Sequence, residues 1–212
     1  MSDLLREVDE DLRREKFETL WRKYGGYALG LAVLVVLAVA ANVIWQHYSE
    51  NRRAERARQY ESALQLVVAG DAKAADMLLE LAAGSDGYAA LARLHDAALK
   101  ARTGDAAGAA ATYEQLAADG SVDEHLRQLA VILLALHTAD SAPPEQLTQR
   151  LQPLTEPTSP WRYSALELTA LLAYRAGDTA RAQEILAGLA DDLNAPPALR
   201  QRVTELLAAL KG

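Results

Sequence analysis

Four histidines, His47, His95, His125 and His137, and a surplus of carboxylates are the groups with which this chain could do acid–base or metal chemistry. Zinc hydrolases place two histidines one helical turn apart, beside a carboxylate, so that both imidazoles reach one ion. No HExxH motif and no His pair at i, i+4 occurs here. Cysteine is absent, which removes thiolate metal sites, cysteine nucleophiles and disulfides together. The histidines therefore read as surface or interface groups, and acids such as Asp123 and Glu124 read as first-turn helix acids. There is no Walker loop, GxSxG or GxGxxG, so the residues imply neither an enzyme nor a cofactor. With 29 acidic and 22 basic residues the net formal charge is −7, the wrong sign for a nucleic-acid binder.

The elements that would position these residues begin with an uncharged apolar run from Tyr24 to Trp45, YGGYALGLAVLVVLAVAANVIW, whose one strongly polar side chain is Asn42. At ~1.5 Å per residue it forms a helix of about 33 Å, enough to cross a hydrocarbon core of ~30 Å. Tyr24, Tyr27, Trp45 and Tyr48 stand where headgroup-level aromatics are expected. The run reads as a single transmembrane helix in contact with lipid. A buried core helix is one rival. A cleaved signal peptide is the other, because Ala38-Val39-Ala40 has the small-x-small form of a processing site; the long acidic head and the apolar residues past the cut favour the anchor. Close to the span five Lys and Arg stand before it (Arg13, Arg14, Lys16, Arg22, Lys23) and four after it (Arg52, Arg53, Arg56, Arg58), so charge decides its orientation weakly, and the default is the short head inside and the large domain outside. Gly26 and Gly30 form a GxxxG pair, which would let a second helix pack against the span, including that of a second copy.

Around the span the chain divides into five parts. Residues 1–23 read as a cytoplasmic amphipathic head, with Ser2 as a helix cap and Leu4, Val8 and Leu12 on one face. The span is 24–45. Residues 46–69 contain no Pro or Gly and predict a helical extension running into the first repeat helix. Residues 70–195 predict a repeat array, and 196–212 a C-terminal capping helix after Pro196-Pro197.

The array is read from its punctuation. Gly70-Asp71, Gly104-Asp105 and Gly177-Asp178 each stop one helix and start another, the first two 34 residues apart. Seven residues before each glycine stands Ala63, Ala97 or Ala170; five after it stands Ala75, Ala109 or Ala182; nine after it stands Leu79, Tyr113 or Leu186. Glycine permits the left-handed residue that ends a helix, aspartate caps the next, and paired alanines let two antiparallel helices approach closely. A single hairpin of this kind cannot bury its apolar face, so hairpins stack into an array with a concave side. Between Gly104 and Gly177 one unit is irregular: a helix near Val122–Thr138, a break at Ala142-Pro143-Pro144, a short helix through Leu151 and a Pro-rich turn.

The pattern resembles the tetratricopeptide repeat over most of residues 54 to 195, with an all-α solenoid as the implied fold. Two departures stand out. Gln59 and Ser62, Arg93 and Asp96, and Leu166 and Thr169 occupy the places where that repeat carries Trp and Leu, and Gly87, Ser121 and Asn194 replace its proline. The repeat class commonly binds ligands along the first helix of each hairpin, which implies a protein-binding groove at Tyr60, Arg102, Glu167, Tyr174 and Arg175. The head REVDEDLRRE, the lead-in LWRKYG, one span and the repeats together resemble the YfgM-like family of ancillary Sec translocon subunits. That resemblance implies a bacterial inner-membrane protein with a periplasmic repeat domain, partnered by SecYEG and a membrane-anchored periplasmic chaperone, that helps receive or hand over exported proteins. A scaffold for another envelope complex, in cell division or cell-wall assembly, is the alternative.

Overall fold

The computed structural model describes the backbone of residues 2–210 and the side-chain surroundings of residues 30–210 other than Ala32. Every regular element among the described residues is helical: α1 (Ser2–Ala69), α2 (Lys73–Ala82), α3 (Gly87–Arg102), α4 (Ala106–Ala118), α5 (Glu124–Thr138), α6 (Pro144–Leu151), a 3-10 turn at Gln152–Thr155, α7 (Arg162–Arg175), α8 (Thr179–Asp191) and α9 (Pro197–Ala209). The chain is thus all-α, a long apolar N-terminal helix followed by helical hairpins. It divides into two units, Met1–Glu55 and Arg56–Gly212.

In the first unit the large apolar side chains from Leu31 to Trp45 are 51% to 73% exposed. A core helix of this composition would be covered, so the buried alternative falls. The helix is long and apolar enough to cross a membrane. Nothing lies within 4 Å of the place a Cβ would take on Gly30; the surroundings of Gly26, like those of the head's side chains, lie outside what the structure describes.

The second unit is built on its glycines. Gly70, Gly104 and Gly177 have φ of 70°, 92° and 86°, the left-handed region in which a Cβ is costly. At each, the next residue donates its N–H to a carbonyl five residues back: Asp71 to Leu66 at 3.0 Å, Asp105 to Lys100 at 2.9 Å, Asp178 to Ala173 at 2.9 Å. That closure satisfies a carbonyl left over at the helix end. The aspartates then serve the following helix. Asp105 accepts from the Gly108 N–H at 2.8 Å and Asp178 from the Arg181 N–H at 2.9 Å.

Asp71 behaves differently, accepting from the Lys73 N–H at 2.9 Å, two residues on, and α2 begins one residue later after its glycine than α4 and α8 do. The seam shows the effect. Ala63, Ala97, Ala170, Ala109 and Ala182 are all buried, yet Ala75 and Leu79 face outwards while Ala74, Leu78 and Leu81 turn in. The expected register is therefore displaced by one residue in α2, about 100° of helix rotation, because counting residues assumes one turn geometry and this turn has another.

The two intact hairpins, α3–α4 and α7–α8, also share an ending. Asp119 accepts from the N–H of Ser121 at 3.0 Å and its hydroxyl at 2.6 Å, and Asp192 accepts from the Asn194 N–H at 2.9 Å. Ser121 and Asn194 are the residues standing where proline was expected. Proline has no N–H to donate, so this turn excludes it. The first helix of each hairpin adds a cation: Arg93 reaches Asp119 at 2.7 Å and Arg162 reaches Asp192 at 3.4 Å. The Ser121 hydroxyl, then Arg93, hold the Asp119 carboxyl at about 2 against an ordinary 3.8. Asp192 is lowered too, first by the Asn194 N–H. Arg93 further donates to the carbonyls of Ala82 at 3.1 Å and Gly84 at 3.2 Å, tying together ends that the expected tryptophan would have packed.

Packing runs along the array. Ala63, Leu78, Leu81 and Ala92 form one core, and Leu94, Ala97, Ala109, Tyr113, Leu116 and Leu134 the next. In the irregular unit Leu147, Leu151 and Leu154 fill the space against Ile132, Leu168 and Leu172. The last core joins Ala170, Leu186 and Leu189 to Leu199 and Val203 of α9.

Candidate functional site

On α7, Ser164, Glu167, Leu168, Leu171 and Tyr174 recur at i, i+3, i+4, i+7 and i+10, one continuous helix face. Ile132 and Leu136 of α5 flank this stripe, as do Arg202, Leu206 and Leu210 at the α9 end, and together they line a groove of about 540 Å³. Leu136, Leu171, Tyr174 and Leu206 are 41% to 52% exposed there. Large apolar side chains from three helices thus meet water in one place, the arrangement that marks a binding surface rather than scattered surface leucines.

The charged groups of the groove answer each other. Arg202 Nε lies 2.5 Å from Glu167 Oε1 and Nη2 lies 2.7 Å from Oε2, a bidentate pair between α9 and α7. The Glu167 carboxylate raises the Arg202 pKa, so the guanidinium stays charged and the pair is neutral as a whole. The Ser164 hydroxyl adds a polar point on the floor.

Of the five residues expected to form a binding face, the fold brings two together. Glu167 and Tyr174 line the groove. Arg175 donates instead to the backbone carbonyls of Ala139 and Ala142, the latter at 2.6 Å, and so fastens α7 to the loop after α5. Tyr60 packs at the far end of the array, its ring 5.7 Å from Tyr88 and 5.8 Å from His95, and burial raises its pKa. Arg102 is exposed at the end of α3. Leu136, Leu171, Leu206 and Arg202 do not stand out in the sequence as groove residues. The spacing of the α7 stripe is visible there, but α9 reads as a cap, and nothing in a cap's composition says that its inner face will wall a groove.

The histidines are dispersed. His137 stacks on Tyr113 with ring centroids 5.5 Å apart, His95 is half-buried beside Tyr60 with its pKa lowered by burial, and His47 lies 3.8 Å from Glu50. Among the described residues no three His, Asp or Glu side chains gather as metal ligands.

Left-handed glycines, alanine seams and stacked hairpins are the marks of one repeat class, and the pattern of the tetratricopeptide repeat-like domain matches residues 18–184. The chain belongs to the tetratricopeptide repeat-like domain family. The matched range takes in the apolar stretch of α1 and ends inside α8, so α9 lies beyond it. Comparison with curated proteins and with solved structures finds no match to this chain. Tetratricopeptide repeat-like arrays are typically non-catalytic protein-interaction modules that bind through the extended face made by successive hairpins.

Proposed function

We propose that this protein is a membrane-anchored, non-enzymatic interaction module that serves as an ancillary subunit of the bacterial Sec translocon. Its head lies in the cytoplasm, residues 24–45 span the inner membrane, and the repeat array stands in the periplasm. There it works beside SecYEG and a membrane-anchored periplasmic chaperone, receiving or handing over exported proteins. One observation carries the reading: a helix whose large apolar side chains from Leu31 to Trp45 are uncovered and a tetratricopeptide repeat-like array with an open apolar groove belong to the same chain. Tethering raises the effective concentration of such an array for anything emerging at the same membrane. The head and lead-in motifs, REVDEDLRRE and LWRKYG, support the Sec assignment. Gly26 and Gly30 offer the span a helix partner, SecYEG or a second copy.

Crosslinking in native membranes, followed by affinity purification of the full chain, tests this. Recovery of SecYEG subunits is expected. Their absence alongside other stable partners would move the protein to the alternative, a scaffold for a division or cell-wall complex. A reporter fused after Gly212 that is active only in the cytoplasm would overturn the orientation, and a mature N-terminus at Ala41 would overturn the anchor.

A further inference from the structure

We propose that the groove between α5, α7 and α9 accepts an uncharged, apolar α-helical segment of a partner protein, seated along α7 and selected by the mutually neutralised Glu167–Arg202 pair. The inference rests on reading the array as a protein-interaction module and names what that module takes.

Three properties of the groove point to this occupant. Its floor is a single helix stripe from Ser164 to Tyr174, about 15 Å of α-helix rise, flanked by further helix surfaces, so the opening has the form of a missing helix about three turns long. Its lining has few hydrogen-bonding groups. Besides the Ser164 and Tyr174 hydroxyls, the polar side chains are Glu167 and Arg202, and these engage each other at 2.5 and 2.7 Å. An extended peptide would bring an N–H and a C=O at every residue and lose water from them without replacement, whereas a helix satisfies its own backbone. The charges decide the side chains. A charged guest would have to be desolvated beside a pair whose charges already cancel, or would have to break that pair and leave the other partner alone. Leucine-type side chains at i, i+3, i+4 and i+7 meet neither cost and cover Leu136, Leu171, Tyr174 and Leu206. Elsewhere in the array the large exposed apolar side chains Val68, Leu79 and Leu193 stand apart from this cluster and line no part of it.

The test titrates the full chain, held in lipid nanodiscs, with a fluorescent 14-residue peptide that presents leucines on one face and glutamine and alanine on the other, and empty nanodiscs supply the lipid background. Binding is expected to weaken by about tenfold or more in Leu171→Asn and in Leu206→Asn, the loss typical of a contact at the centre of an interface. Leu79→Asn, on α2, should leave it unchanged, and thermal melts of all three establish that the array is folded. A peptide with one lysine or glutamate at the centre of its leucine face should bind at least about tenfold more weakly than the uncharged one. Equal binding by the groove variants, or equal or tighter binding of a charged peptide, would overturn the proposal. So would a dimer of the intact chain that Leu171→Asn dissociates, because a second copy would then fill the groove. Should translocon crosslinks persist in Leu171→Asn while peptide binding is unaffected, the groove assignment fails and the interaction module stands. If the natural chain forms no translocon crosslinks yet binds the peptide through Leu171 and Leu206, the Sec assignment fails and the groove stands.

Discussion

Hairpins α3–α4 and α7–α8 turn on a left-handed glycine, start their second helix on the aspartate that follows, and close on Asp119 or Asp192. Their inner faces share none of this likeness. At equivalent distances before the glycine, α3 carries Leu94, Ala98 and Ala101, buried or half-buried, and α7 carries Glu167, Leu171 and Tyr174, of which the last two are exposed. Within the seam, Tyr113 of α4 and Leu186 of α8 hold the same place and are both buried. Reversing a chain between two helices poses a local problem, with the same backbone groups to satisfy each time, and so it receives the same answer. The inner face has no such constraint once its helices are packed, and it is there that the repeats diverge.

Removing the seam residue tests that equivalence most severely. Tyr113→Ala is expected to cost about 3–5 kcal/mol and Leu186→Ala about 2–5 kcal/mol, measured by urea unfolding of the full chain in micelles. A small cost at either site would mean that its hairpin is not held by this contact. The glycines come next: Gly104→Ala and Gly177→Ala should each cost about 1–2 kcal/mol for the left-handed Cβ, and clearly unequal values would break the parallel between the turns.

A third test uses pH. Because the Asp119 carboxyl is depressed to about 2 from an ordinary 3.8, its ionised form adds stability that is fully present above the ordinary value and drains away as pH falls towards about 2. Thermal melts from pH 5 downwards should therefore fall less steeply for Asp119→Asn than for the natural chain, with Asp192→Asn changed in the same direction. Steeper slopes would contradict the closing turn as drawn. The smallest effect belongs to a contact that neither turn uses. Arg150 and Glu114 meet at 2.5 Å with about half of each side chain in water, and Arg150→Ala should shift stability by no more than about 1 kcal/mol.

Much of the scaffold could be read from residue types alone, because Gly-Asp steps and alanines at fixed distances describe a backbone requirement. Two features could not. The register of α2 depended on whether Asp71 caps at the second or the third following N–H, a choice of turn that leaves no trace in composition. The turn at Asp119 was hidden for a related reason: Ser121 and Asn194 look like ordinary departures from a repeat pattern until their N–H groups are seen donating to a carboxylate. The groove lay further out of reach. Glu167 and Tyr174 were in view, but their neighbours across the gap come from α5 and α9, some thirty residues away on either side, and a single sequence does not disclose which helices will lie together.

In the second unit the substantial helix contacts join elements adjacent or next-but-one in sequence. Such an array loses structure from its ends inwards, since a terminal helix has neighbours on one side and an internal one on both. Among the described helices α9 makes its substantial contacts with α8 alone, and the groove depends on it. Hydrogen exchange there should outpace exchange in α4 and α5, and a bound helix would slow it by covering the face that α9 turns to the groove. One wall of the groove is thus at once the softest part of the array and the part with most to gain from company.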